Sequence, residues 1–346
     1  MERTATGTPG MVVRATNWVG DVVMSLPALK ELRRLFPNSH LAVVARKWVA
    51  DLYRNQEFVD EVIVLPDGRS SLFLAPRLQS FDCAVLFQNA FEAALLVRLA
   101  RIPQRMGYAV QGRGWLLTHK VKPRKELQGK HQTFYYLDLL YRLGLSPRDY
   151  LSDKIEADIR LRVTTGARQE LEYLLQETAL DPERPLVALH PGAAYGPAKR
   201  WPAERFARLA DLLQQKAKAC VVLVGSEDEL PLAHRIRSRM ETPSVLLHGK
   251  TSLPGLLALF ERCRLVITND SGPMHLAAAV GTSQIALFGS TDETATGPLN
   301  PRARVIAKHP PCSPCFRRDC PFDMECFRAI SVDEVWEAAQ EILEGR

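Results

Sequence analysis

The chain has 346 residues, 46% hydrophobic and 24% charged, the balance of a globular protein of about two domains rather than a disordered or fibrous one. No apolar run reaches the roughly 18 residues that span a bilayer. The first ten residues, MERTATGTPG, are small and polar with no apolar segment behind them, and they read as a disordered leader on a cytoplasmic protein. The net charge of +6 directs the chain toward acidic partners such as nucleotide phosphates, nucleic acid or an anionic membrane surface.

In chain order, Met11 to Ala15 is a β-prone run, and a loop from Thr16 to Asp21 follows it. Val22, Val23, Leu26, Leu29, Leu32 and Leu35 then recur at helical spacing up to Phe36, where Pro37-Asn38 ends the helix. Leu41 to Ala45, Val62 to Leu65 and Ala84 to Phe87 read as further strands with helices between them. The alternation restarts with a strand over Leu186 to His190, a loop to Pro197 and an amphipathic helix over Ala203 to Lys216. Strands over Cys220 to Val224, Leu265 to Thr268 and Gln284 to Phe288 follow, with helices over Leu253 to Glu261 and Met274 to Val280. This pattern predicts an α/β protein with two mostly parallel, doubly wound sheets. The predicted boundaries are a leader at 1–10, a first domain at 11–165, a connection at 166–185 carrying a charged helix, a second domain at 186–330 and a terminal helix at 331–346.

Ligands of doubly wound sheets bind beyond the carboxyl ends of the strands, so the loops after strands carry the chemistry. The first is Asn17-Trp18-Val19-Gly20-Asp21. Gly20 suits unusual backbone angles. Asp21 reads either as a helix N-cap or as a carboxylate able to take a proton from a hydroxyl. The second runs from His190 through Gly192, Ala193, Ala194, Lys199 and Arg200 to Pro202. Its small residues admit close backbone approach, and its cations stand beside a helix N-terminus, which suits a pyrophosphate. In the third, Gly225-Ser226-Glu227-Asp228-Glu229, a carboxylate can hold a ribose, or simply serve the start of a helix. The fourth is Thr268-Asn269-Asp270-Ser271-Gly272-Pro273-Met274-His275, with Asp270 and His275 expected to converge. Neither G-x-G-x-x-G nor a Walker A loop is present, which argues against a dinucleotide-dependent oxidoreductase or a P-loop enzyme. The basic residues are spread over loops rather than set beside aromatic residues, which argues against a nucleic-acid-binding protein.

Of seven cysteines, Cys83, Cys220 and Cys263 sit alone in apolar stretches and read as buried small hydrophobes. Cys312, Cys315, Cys320 and Cys326 are crowded with the spacing C-x2-C-x4-C-x5-C. That spacing is compatible with structural zinc, with free thiols, with an iron–sulfur cluster or with disulfides. The spacing argues against a catalytic metal there, because four thiolates would leave zinc no open position.

Together, NWVGDVVMSLPALKELRRLFP, PGAAYGPAKRWP and TNDSGPMHLAAAVGTSQIALFGST resemble glycosyltransferase family 9, from about Met11 to Val305. The resemblance implies the GT-B architecture, two facing Rossmann-like domains with a ligand cleft between them and a C-terminal helix packing back toward the first. It implies inverting transfer of L-glycero-D-manno-heptose from ADP-heptose to the first heptose of the lipopolysaccharide inner core, or to a different acceptor in other family 9 enzymes, the first heptosyltransferase among them. Asp21 would be the general base. Lys199 would contact donor phosphates and sugar, and Glu229 the ribose. Asp270, Ser271, Gly272 and His275 match the family's donor-binding segment. Where some members carry hydroxyl residues before the lysine this chain has Ala193-Ala194, so backbone N–H groups would replace those contacts. No metal is then needed for catalysis, and the four cysteines lie outside the family pattern. The partner would be a lipid-anchored acceptor at the cytoplasmic face of the inner membrane. Arg98, Arg101, Arg105, Arg113, Lys120, Lys122, Arg124 and Lys125 would meet its negative charges.

Overall fold

The computed structural model describes residues 10–66, 71–152, 156–178 and 180–345. The expected leader lies outside these, apart from Gly10, which is buried as the first residue of a strand. The chain divides into two compact units, Met1–Ile159 and Arg160–Arg346.

In the first unit the elements are β1 (Gly10–Arg14), α1 (Val19–Leu35), β2 (His40–Arg46), α2 (Lys47–Ala50), β3 (Glu61–Leu65), β4 (Cys83–Leu86), α3 (Phe91–Leu99), β5 (Gln104–Tyr108), β6 (His119–Val121) and α4 (Thr133–Arg142). The strands form one sheet in the order β3-β2-β1-β4-β5-β6, parallel throughout. The central strands are buried and largely apolar because both sheet faces are covered. All five residues of β1 and all four of β4 are buried. β5 and β6 escape sequence reading because Gln-Arg-Met-Gly-Tyr and His-Lys-Val carry too few apolar residues. β6 forms the sheet edge, where one-sided exposure removes the hydrophobic signal.

In the second unit the elements are α5 (Thr165–Gln176), β7 (Leu186–His190), α6 (Ala203–Gln215), β8 (Cys220–Leu223), α7 (Leu230–Arg237), β9 (Val245–Leu246), α8 (Leu253–Arg262), β10 (Leu265–Asn269), α9 (Gly272–Ala279), β11 (Gln284–Phe288), α10 (Glu293–Thr296), β12 (Ala303–Ala307), α11 (Glu325–Arg328) and α12 (Val332–Glu344). The sheet order is β12-β11-β10-β7-β8-β9, which repeats the arrangement of the first unit. Both are Rossmann orders whose strand sequence reverses at a central pair, β1/β4 in one and β7/β10 in the other.

Two expected boundaries shift. The charged helix placed in the connection is α5 of the second unit. Thr164 caps it by accepting from Ala167 N–H at 3.1 Å, Glu170 accepts from Ser252 N–H at 2.8 Å, and Arg168 pairs with Glu261 at 2.8 Å. The terminal helix α12 was expected to lean on the first domain. It buries Val335 and Ala339 fully in the second unit's core, beside Phe206, Leu209 and Phe327. Its entry is set by Ser331, which accepts from Glu334 N–H at 3.1 Å.

Candidate functional site

The second unit places four loops beyond the β7/β10 switch point and ties them together through side chains. Asn269, the last residue of β10 and fully buried, donates to Pro191 O at 2.8 Å and accepts from Trp201 N–H at 3.1 Å. One amide therefore clamps both ends of the loop between β7 and α6. Trp201 fixes the far end, with its indole in the core and its N–H donating to Ile330 O at 3.1 Å.

Within that loop Lys199 donates to Asp270 Oδ2 at 2.6 Å, and Thr291, after β11, donates to the same oxygen at 2.6 Å. The Lys199 and Asp270 side chains are only 14% and 5% exposed, so the ion pair is shielded and its geometry is set by hydrogen bonds on both sides. Tyr195 lies under Lys199, whose Nζ is 5.1 Å from the ring centroid. The result is a fixed cation at the end of a parallel sheet, an arrangement suited to phosphate oxygens.

A second group lies close by. Glu229, at the start of α7, accepts from Ser226 N–H at 3.0 Å in a reciprocal capping box. It also stands 3.5 Å from His190 Nε2, and His190 Nδ1 meets Ser271 Oγ at 3.2 Å. Burial raises the Glu229 pKa, but the His190 contact, the Ser226 N–H and the charge of Arg200 outweigh it and bring the carboxyl down to about 2. Gly192 and Gly225 make room for this carboxylate. A Cβ on Gly192 would lie 1.9 Å from Glu229 Oε1, and one on Gly225 would lie 2.8 Å from Oε2 and 2.6 Å from His248 Cδ2. His248 is buried, and neither of its ring nitrogens has a hydrogen-bond partner.

The expected residues therefore fall into place unevenly. Gly192, Lys199, Glu229, Asp270 and Ser271 cluster, while Ala193 is buried and Ala194 exposed in the loop they share. Gly272 opens α9, and His275 is buried one turn further on. Sequence reading placed His190 and Asn269 in these loops without a role, and passed over Thr291 and His248. The available signal was position, because His190 and Asn269 end the two switch-point strands.

In the first unit, α1 begins at Val19 rather than Val22. Trp18 is the N-cap and Asp21 lies in the first turn. This removes the N-cap reading of Asp21 and gives Gly20 ordinary helical backbone. An acid in the first turn is favoured by the helix dipole. The loop before it is held by buried Arg14, which donates to Asn17 Oδ1 at 2.9 Å, and by Trp48, which donates to Asn17 O at 2.8 Å. Asp21 is half-buried. Its charge adds to the burial that raises the pKa of Tyr53 and of Tyr136.

Of the expected acceptor-facing cations, three do structural work. Arg113 is fully buried and donates to Tyr108 O at 3.0 Å and Asn89 Oδ1 at 3.0 Å. Arg124 bridges Asp138 and Asp149, both at 2.5 Å. Arg105 is pinned to Leu116 O at 2.8 Å and Ile102 O at 2.6 Å. Arg98, Arg101, Lys120, Lys122 and Lys125 are exposed.

The glycosyltransferase family 9 (heptosyltransferase) model matches residues 69–325. The chain belongs to glycosyltransferase family 9. Its similar relatives include lipooligosaccharide heptosyltransferase 2 of Haemophilus influenzae, 32% identical over 86% of this chain and 88% of that one. Lipopolysaccharide heptosyltransferase 2 of Escherichia coli is 31% identical over 86% of this chain and 87% of its own. The structure of E. coli ADP-heptose LPS heptosyltransferase II matches with a TM-score of 0.83 at 28% identity, covering 98% of this chain and 99% of that one. This family 9 enzyme is thus a glycosyltransferase of the GT-B class, built from two Rossmann-like units. Among its described residues no helix is long and apolar enough to cross a membrane.

The four crowded cysteines of this family 9 chain are free thiols in the structure, and all line one cavity of about 340 Å³. Among the described residues no three thiol, imidazole or carboxylate groups are placed to share a single metal ion. The closed tetrahedral zinc site suggested by the spacing is therefore not formed as the chain stands.

Proposed function

We propose that this enzyme transfers L-glycero-D-manno-heptose from ADP-heptose to the first heptose of the lipopolysaccharide inner core, with inversion at the anomeric carbon. The observation that carries the reading is the pairing of Lys199, set by Asp270 and Thr291, with Glu229 packed under the Gly192 backbone. One group suits a diphosphate and the other a ribose, at one sheet switch point. The names of the relatives support the choice of sugar and acceptor.

On this reading Asp21 takes the proton from the acceptor hydroxyl as that oxygen attacks the anomeric carbon. The bond to the donor phosphate breaks on the opposite side. Lys199 and the N-terminal end of α9 stabilise the charge that develops on the departing ADP. Ser271, Gly272 and His275 complete the donor side, and Ala193 and Ala194 contribute backbone only. Each charge is met by a protein group, so turnover needs no metal ion. The acceptor carries a lipid anchor, which places the enzyme peripherally at the cytoplasmic face of the inner membrane. Exposed Arg98, Arg101, Lys120 and Lys122 supply the attraction. Nucleic acid has no part in this reading.

The test is ADP release by purified enzyme given ADP-heptose and a graded set of truncated core acceptors. Release is expected with the acceptor that ends in one heptose. Release only with heptose-free acceptor would assign the enzyme to the preceding step, and none with any acceptor would overturn the reading.

A further inference from the structure

The segment from Lys308 to Met324 runs between β12 and α11 without a strand or helix. Phe316 and Phe322, its two large aromatics, are 55% and 59% exposed, so the segment has little apolar core of its own. Loops of this length without regular structure are uncommon in compact domains and are usually functional.

What it touches is specific. Cys315 N–H and Phe316 N–H donate to Ser290 O at 3.1 and 2.8 Å, and Ala198 N–H donates to Arg318 O at 3.0 Å. Arg318 donates to Tyr195 O at 2.7 Å, and Tyr195 OH returns a bond to Phe316 O at 2.7 Å. Gly196 is needed for this approach, since a Cβ there would lie 2.5 Å from Arg318 O. These partners are adjacent to the donor machinery, while Lys308 and His309 pair with Glu334 and Glu293 elsewhere in the unit. Tyr195 to Ala198 lead into Lys199, and Ser290 precedes Thr291.

Beneath the segment is the cavity of about 340 Å³, lined by Cys312, Cys315, Cys320, Cys326, Ala198 and Ser290 among others. Ser290 is 2% exposed, and its hydroxyl has no hydrogen-bond partner, so a buried polar group on the cavity wall lacks what such groups almost always have.

We propose that Cys312, Cys315, Cys320 and Cys326 bind a thiolate-ligated metal centre whose role is to brace the Tyr195–Lys199 loop and the Ser290–Thr291 turn. The cavity is wider than one ion, and no three thiols converge on a point. A sulfide-bridged iron cluster, which would be held by separate cysteine thiolates, is compatible with that spread. A single zinc requires the segment to draw inward to Zn–S distances of about 2.3 Å. Both are the same ligand chemistry, four deprotonated cysteines on a soft metal. The centre is a positioning element and touches no reacting atom. The bracing role rests on the donor reading of Lys199; the metal site does not.

The experiment uses the full-length chain without a histidine tag, purified without oxygen. Elemental and sulfide analysis should find about one zinc, or iron with matching sulfide and visible charge-transfer absorption for a cluster. The Cys312→Ser/Cys315→Ser variant should lose the metal. Its affinity for ADP should weaken by about tenfold while kcat at saturating donor changes far less, because loop misplacement acts on donor binding. If that variant does not fold, X-ray absorption at the metal edge of the wild-type protein must show sulfur ligation. Wild-type protein that stays metal-free after incubation with zinc, or with ferrous iron and sulfide, overturns the site. Full metal content in the double variant does the same. Metal loss with unchanged ADP affinity overturns the bracing role. Wild-type protein that binds metal but not ADP overturns the donor reading and leaves the metal site standing.

Discussion

A Cβ atom on Gly192 would stand 1.9 Å from Oε1 of Glu229, so the glycine and the carboxylate occupy their places only together. Gly192→Ala should expel Glu229 from the pocket. ADP binding should weaken by about 1–3 kcal/mol, the usual cost of losing a hydrogen-bonded charged partner, and Glu229→Ala should weaken it similarly. The double variant should be little worse than either alone, because both changes remove one contact. Calorimetry with ADP and with adenosine checks this. Additive losses would mean that Gly192 acts independently of Glu229.

The Lys199–Asp270 pair sets the second expectation. Lys199→Ala should weaken ADP-heptose more than adenosine, because the ammonium is assigned to phosphate and sugar oxygens. Asp270→Asn keeps the shape but removes the charge that holds Lys199. A cycle of the two substitutions should show a coupling of roughly 0.5–3 kcal/mol in donor binding. Coupling near zero would mean that Asp270 does not orient the lysine.

Asp21 is tested through turnover. Asp21→Asn should preserve ADP affinity and lower kcat by about 10²–10⁴-fold, the usual contribution of a general base. Trp18, not Asp21, is the N-cap of α1, so the melting temperature should move little. Near-normal turnover would return Asp21 to a dipole-stabilising role.

Stability should fall on mild acidification because of His248. Burial, with the nearby charge of His190, lowers its pKa to about 4 from the ordinary 6.5. The unfolded chain therefore takes up a proton below pH 6.5 while the folded chain refuses it until about pH 4. Stability drops across that window, by about 3 kcal/mol if the whole shift is realised. Glu229, with its carboxyl near 2 rather than 4.5, has the same sign in a lower window. Its contribution is complete above pH 4.5 and is lost as the pH falls from 4.5 to 2. Urea midpoints at pH 7, 5.5 and 4.5 should fall in order for the wild type and more shallowly for His248→Gln. An equal slope in the variant would remove His248 as the cause.

Membrane contact is assigned to exposed cations, so neutralising Arg98, Arg101 and Lys120 should reduce sedimentation with anionic vesicles, at about 1 kcal/mol per residue. Added salt should weaken binding of the wild type. Arg105 is unsuitable for this test because its guanidinium is tied to backbone carbonyls. Binding to neutral and anionic vesicles alike would refute the electrostatic contact.

The α/β class, the doubling of the fold and the loops that carry the site are all legible along the chain. Central parallel strands are buried on both faces and read as short apolar runs, as in Leu265 to Ile267. The loops after them are marked by glycines and charges that a folded core would not hold. Edge strands such as β6 and β9 were lost because half-exposed strands need no apolar run. The start of α1 was misplaced because Trp18-Val19-Gly20 offers no capping side chain to mark it. Which charges are available depends on three-dimensional packing. Arg113 and Lys199 look alike in a sequence, yet one is sealed among carbonyls and the other is held at a switch point by Asp270. The packing also sets Glu229 beneath Gly192, 37 residues earlier in the chain by their numbers, and brings three cysteines of an irregular segment and Cys326 of α11 to one cavity with Ser290. These relations depend on strand order, and strand order is set by how two sheets fold around their own cores, which no local spacing along the chain encodes.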